Sequence, residues 1–216
     1  MTAAVNRLER RKALTRSALV TAAQRFIAEG KTNAPILEIT QAADVGMGSF
    51  YNHFDSKDEL FAAAVESALD SLGDYLDSLT VDLTDPAEIF AQSFRITGRL
   101  FRLQPELSRV LVNSGSSLIT STKGLAPRAA RDIAAAADAG RFVVDDPDLT
   151  MALVAGSLLG LGQLLLTQPD RDDAADADKM TVGILVALGL SREEAQALCS
   201  TPVPLTAESL SDIDTV

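Results

Sequence analysis

One cysteine (Cys199) and one histidine (His53) stand among 216 residues, so the chain has no material for a disulfide framework, a CxxC cluster or an imidazole-rich zinc site or triad. Neither a metal nor a cofactor is expected. Tryptophan is absent and aromatics amount to 5%, yet 47% of the chain is apolar, which suffices for a real core and excludes a disordered or collagen-like chain. Alternating runs of Val, Ile and Thr are also missing. Apolar residues instead recur at steps of three and four, the mark of an all-α chain. No cationic stretch followed by an apolar segment and a small-residue cleavage site opens the sequence, so a cytoplasmic location is expected.

The formal net charge of −11 argues at first against a polyanionic partner, but the charge is unevenly spread. Residues 1–31 hold seven basic groups (Arg7, Arg10, Arg11, Lys12, Arg16, Arg25, Lys31) against two acids, whereas residues 59–216 hold 11 basic against 24 acidic. Such polarity suits a small anion-binding head on an acidic body.

Helix signals punctuate the chain. A first helix is expected over about 8–29, stopped by Gly30, and a second from Ala34-Pro35 to about Ala43. A short one follows from Met47. Ser56-Lys57-Asp58-Glu59 is a capping-box pattern that opens a long helix to about Leu79, and Asp85-Pro86 opens another, broken at Pro105. Residues 107–112 read as a short continuation, 113–124 as a loop or frayed turn, and 127–139 as a helix. Asp146-Pro147 opens an apolar helix to about Gln168, then come helices over 174–188 and 191–199, and a loose tail from 201. Leu149–Gln168 is uncharged and long enough to span a membrane. Gly156, Ser157, Gly160, Gly162, Gln163 and Thr167 interrupt it and its flanks are acidic, so a buried or interface helix is expected instead, and no membrane partner.

The informative stretch is Ile36 to Leu60. Ala42 and Ala43 are small enough for two helices to cross, Asp44 tolerates a left-handed turn, and Val45 plugs its inside. Met47–Asn52 is then a recognition helix. Gly48 permits close approach to DNA, Phe50 and Phe54 face the core, and Met47, Ser49 and Asn52 point at base edges. Tyr51 and His53 are aimed at flanking phosphates, as is Lys57 in the first turn of the next helix; Arg10, Arg11, Lys12 and Arg16 add backbone neutralisation.

The run ITQAADVGMGSFYNHFDSKDEL, residues 39–60, resembles the DNA-binding signature of the tetracycline-repressor (TetR) family, with the likeness extending over about 12–65. Two positions depart from the family pattern: Asp44 stands where Gly is usual, and Gly46 where a small polar cap is usual. The resemblance implies a helix-turn-helix head over 1–56 and a helical effector-binding and dimerisation body over 57–200. It implies a homodimer joined through the helices at 147–168 and 174–188, which the Gly156/Gly160 spacing also suits. A ligand pocket in the body is implied too, with Phe90, Phe94, Phe101, Leu111 and Leu158 as wall residues. Arg95, Arg99, Arg102 and Arg109 are expected to form a solvated face paired with acids, the alternative being that one points inward to bind an anionic effector.

The expected function is that of a ligand-responsive repressor that binds a palindromic operator in double-stranded DNA and is released by a small-molecule effector. A helical enzyme requires paired acids in an apolar setting beside a nucleophile, whereas the acids here lie in caps, tails and helix faces. An interaction module without DNA binding is the other alternative; it predicts no salt-dependent affinity for duplex DNA.

Overall fold

The computed structural model describes residues 2–114 and 123–205, and among these the only regular elements are α-helices. In chain order they are α1 (Thr2–Ala28), α2 (Ile36–Ala42), α3 (Met47–Phe50), α4 (Lys57–Thr80), α5 (Pro86–Leu103), α6 (Pro105–Ser114), α7 (Leu125–Asp138), α8 (Pro147–Thr167), α9 (Asp173–Ala187) and α10 (Arg192–Ser200). Most of the expected loop over 113–124, and the expected tail beyond Leu205, lie outside the described residues.

Caps set the helix starts as the sequence indicated. Ser56 Oγ accepts from the Glu59 N–H at 3.1 Å, while the Glu59 carboxylate reaches back to the N–H of Asp55 at 2.6 Å, one residue beyond the usual capping-box partner. Asp85 caps α5, Asp146 caps α8 and Ser191 caps α10. Boundaries shift where the signals are weak. α1 begins at Thr2 because no glycine or proline interrupts the stretch before Leu8, and Pro35 precedes α2 as its N-cap rather than joining its first turn. α3 closes at Phe50, after which hydrogen-bonded turns carry the chain to Phe54.

The chain divides into two compact units, Met1–Ala68 and Leu69–Val216, and α4 runs from the first into the second. The first unit is packed around Leu19, Ala23, Ile39, Phe50, Phe54 and Leu60, each almost fully buried. It holds eight basic and eight acidic residues; the second holds 11 and 22, and so carries the whole net charge. The core of the second unit surrounds α5, with Phe90, Phe94 and Phe101 meeting Val154, Leu161, Leu165, Ile184 and Leu185 of α8 and α9. Small residues permit that closeness. A Cβ on Gly162 would overlap the Phe101 ring, and one on Gly98 would lie 2.8 Å from the Ala177 methyl.

Candidate DNA-reading and effector sites

In the first unit the turn between α2 and α3 adopts the geometry that a helix-turn-helix demands. Asp44 has φ 53°, the only positive φ at a non-glycine among the described residues. The chain reverses there through bonds from Asp44 N–H to Gln41 O (3.1 Å) and from Val45 N–H to Thr40 O (2.9 Å). Asp at this position is costlier than Gly but tolerable. Gly46 precedes α3 with no side-chain cap.

Two phenylalanines anchor α3 and decide what it presents. Phe50 is 0% and Phe54 2% exposed, and their ring centroids lie 6.0 Å apart. Being four residues apart, they turn the opposite side outward: Met47, Gly48, Tyr51 and Asn52 are exposed, and Ser49, His53 and Lys57 half-buried. Nothing lies within 4 Å of a Cβ built on Gly48, so the surface at that point is open. Tyr51 packs edge-on against Phe50 while staying largely exposed. On α1, Arg10, Arg11 and Lys12 are exposed, with Lys12 near Glu9 at 3.9 Å, and the Arg16 guanidinium sits 5.0 Å over the Phe54 ring.

Besides an open groove of about 490 Å³ lined by Arg95, Arg99, Asp178 and Cys199, the described residues of the second unit surround two small neighbouring cavities. The first, about 70 Å³, has Phe90, Phe94, Val154 and Leu158 among its apolar walls and Asp77, Ser93, Thr97, Arg128 and Asp132 among its polar ones. The second, about 60 Å³, is bounded by Leu69, Leu111, Met151 and Leu159, and shares Leu125, Ala129, Val154 and Leu158 with the first. Four expected wall residues therefore meet at these cavities. Phe101 does not; its ring fills the space over Gly162 instead.

Arg109 is exposed, as a solvated face requires, and Arg95 and Arg99 are paired with an acid as expected, but, against that expectation, Arg95, Arg99 and Arg102 are wholly or partly withdrawn from solvent. Arg95 is buried at 4% exposure, giving its Nε to Asp178 (2.7 Å) and its Nη1 to the Thr201 carbonyl (2.9 Å); Arg99 shares the same Asp178 oxygen at 2.8 Å. Arg102 caps the end of α8 through the carbonyls of Leu165, Gln168 and Pro169. Arg95, Arg99 and Arg102 bond to backbone carbonyls and to the Asp178 carboxylate, which a periodicity argument cannot distinguish from solvation. Arg95 and Arg99 line the open groove, and none of Arg95, Arg99, Arg102 and Arg109 lines either small cavity.

The polar wall that the sequence reading missed comes from α4 and α7. Arg128 donates to Asp77 (3.2 Å), Asp70 (3.3 Å) and Asp74, and Arg131 donates to Asp77 (2.7 Å) and Asp132 (2.9 Å). Asp132 is buried, and burial holds its carboxyl above the ordinary range, with the Arg131 bond only partly countering. Burial also works to raise Asp77, but hydrogen bonds and charge from Arg131 and Arg128 overcome it and hold the group low. The acids at 70, 74 and 77 and the bases at 128 and 131 have helical spacing, the one sequence signal available.

Burial pushes the Cys199 thiol up to about 11, so it serves as a core atom. Among the described residues no group of three or more His, Cys, Asp or Glu is placed to hold a metal ion.

α8 is long and apolar enough to cross a membrane, yet only 22% of its apolar window is buried within the subunit. Leu149, Leu153, Gly156 and Gly160 fall at steps of four, three and four and are all exposed, and a Cβ on either glycine meets nothing within 4 Å. Gly183 of α9 is exposed and open in the same way.

Comparison with known proteins covers both units. A family model described as bacterial regulatory proteins, tetR family, matches residues 18–64, and one described as tetracyclin repressor-like, C-terminal domain, matches residues 85–201. The structure of RolR in complex with the ligand resorcinol is 33% identical, with a TM-score of 0.77, covering 91% of this chain and 98% of its own. RolR without ligand is 34% identical at a TM-score of 0.74, covering 88% and 98%. SmeT, the repressor of the Stenotrophomonas maltophilia multidrug efflux pump SmeDEF, shares the fold at 19% identity and a TM-score of 0.57, covering 80% and 89%. No curated protein matches the chain.

Proposed function

Because the chain belongs to the TetR family of bacterial regulatory proteins, we propose that it is a cytoplasmic, ligand-responsive repressor that binds a palindromic DNA operator as a homodimer and is not an enzyme. The observation that carries this reading is the anchoring of α3: Phe50 and Phe54 point inward, so Met47, Tyr51 and Asn52 are left for a partner. Asn52 suits a bidentate contact with adenine, and Met47, Gly48 and Ser49 the adjoining base edges. Tyr51, His53, Lys57, Arg11 and Lys12 take phosphates, which supply affinity and its salt dependence.

The homodimer forms through α8 and α9, whose outward faces carry the apolar and glycine positions. Two heads then address successive major grooves, roughly 34–36 Å apart.

The effector enters the second unit at the cavities bounded by Phe90, Phe94, Leu111 and Leu158. A volume near 70 Å³ is far below the ~300 Å³ of drug-sized pockets, so the occupant is a single-ring compound. The buried Asp132 carboxylate, with Arg131 on its Oδ1, calls for a hydroxyl donor. RolR, with its bound resorcinol, makes a dihydroxybenzene the first compound to try. The assay is a mobility shift with a duplex that the protein selects from a random pool. The reading requires a shift that resorcinol or a related phenol reverses, and a protein that selects no duplex refutes it.

A further inference from the structure

Helix α5 has a hollow on each side. Phe90, Ser93, Phe94 and Thr97 line the cavity of about 70 Å³, whereas Arg95, Arg99 and Leu103, at steps of four, line the open groove of about 490 Å³ on the other side of the helix. The remaining walls of the groove come from the start of α9 and from the segment that follows α10, which contributes Thr201, Pro202, Val203 and Leu205. No residue of the groove borders either small cavity.

Positive charge in the groove exceeds what its paired acid neutralises. Asp178 Oδ1 accepts from both Arg95 Nε (2.7 Å) and Arg99 Nη2 (2.8 Å), so a single carboxylate serves two guanidiniums. Asp173 lines the groove as well but pairs with neither. Arg95 is buried, with Nη1 on the Thr201 carbonyl, and Arg99 places its own Nη1 on the Arg95 carbonyl at 3.1 Å. Nη2 of Arg95 and Nε of Arg99 donate to none of the described residues, and neither is among the atoms sealed from solvent, so both remain reachable from the groove. A guanidinium this far out of water, with donors to spare, gains from a further acceptor, and most from a charged one.

We infer that the groove is a second ligand site, separate from the effector cavities, for a small organic carboxylate. The carboxylate takes the spare N–H groups of Arg95 and Arg99. Its apolar body lies against Leu103, Val203 and Leu205, which are exposed or half-buried beside the two arginines and gain cover from it. Inorganic anions lack that body, and neutral amphiphiles lack the charge. Asp178 is a positioning residue with two opposed effects: it holds both guanidiniums in place, and its own charge weakens their attraction for the ligand.

The test is calorimetric titration of the full chain with hexanoate, and with acetate and hexanamide as probes that lack the body or the charge. Hexanoate is expected to saturate one site per chain with a dissociation constant of about 1 mM or tighter, within the ceiling for a ligand of so few atoms, and both comparison probes to bind at least about tenfold more weakly. Arg99→Gln weakens hexanoate about tenfold, the loss of one charge-assisted hydrogen bond. Leu103→Glu, at an exposed position where the fold is not at stake, weakens it too by setting a like charge beside the carboxylate. Asp178→Asn keeps an Oδ1 acceptor and removes the charge, so hexanoate binds about two- to five-fold more tightly, the range a partly exposed ion pair supports. That gain is diagnostic, because mere damage to the groove weakens binding. Circular dichroism checks that each variant is folded. The assignment is overturned by a wild-type chain that hexanoate does not saturate, by acetate or hexanamide binding as tightly as hexanoate, by folded Arg99→Gln or Leu103→Glu binding as the wild type does, or by a folded Asp178→Asn that binds more weakly. No resorcinol enters the test, so failure of the effector reading and failure of this one are told apart.

Discussion

Replacing Leu149 and Leu153 together by serine tests the homodimer where the structure leaves it most exposed. These side chains are 69% and 44% exposed on the outward face of α8, one and two turns from its start. Complete burial of a leucine is worth about 1.5–3 kcal/mol. Covering the fractions still open gives roughly 2–3 kcal/mol per protomer, and two-fold symmetry doubles it to roughly 3–7 kcal/mol per dimer. The double variant's dimer dissociation constant is therefore expected to rise by a factor of at least ~100, since each 1.4 kcal/mol is about tenfold. The fold is expected to survive, because exposed side chains contribute little to the subunit's own core. Sedimentation equilibrium across a concentration series, with circular dichroism as a check on helix content, measures both. A double variant whose dimer affinity matches the wild type, at unchanged helicity, refutes the assignment of this face.

Three shorter predictions follow from packing, protonation and charge. Gly162→Ala pushes a methyl into the buried Phe101 ring and is expected to cost about 1–3 kcal/mol in urea unfolding, partly offset by about 1 kcal/mol of helix propensity; a stabilised variant contradicts that packing. Asp77, held low, contributes stability that is complete above its ordinary 3.8 and is lost as pH falls through its depressed value, so Asp77→Asn should flatten the acid limb of thermal melts. Asp132 acts in the opposite sense. Held high, it loses its favourable contribution as pH rises from 3.8 through its raised value. Lys57→Ala should weaken duplex binding about equally for every sequence and lower the log–log salt slope by about one, as expected for a phosphate contact; an unchanged slope removes Lys57 from the interface.

The elements legible in the sequence were those governed by local chemistry. Asp85-Pro86, Asp146-Pro147 and Ser191 announce helix starts because a side-chain oxygen must meet free N–H groups within a few residues, and each does so. The spacing of Phe50 and Phe54 fixed which side of α3 is buried, and Asp44 marked the reversal before it. Contacts between distant helices left no such trace. Arg95 and Asp178 are 83 residues apart, and Asp77 and Arg131 are 54 apart, so no local pattern distinguishes a buried clamp or a cavity wall from a solvated charge. Phe101 was placed at the cavity because it shares the apolar side of α5 with Phe90 and Phe94. Gly162, on another helix, is what draws it away.

Whether the outward side of α3 reads DNA is most directly measured by fluorescence anisotropy of wild type and Asn52→Ala on the selected duplex and on one altered at each position in turn. The account predicts a loss of about 1–3 kcal/mol for Asn52→Ala on the selected duplex, with discrimination collapsing at one adenine and little change elsewhere. Equal affinity of both proteins for every duplex would contradict it.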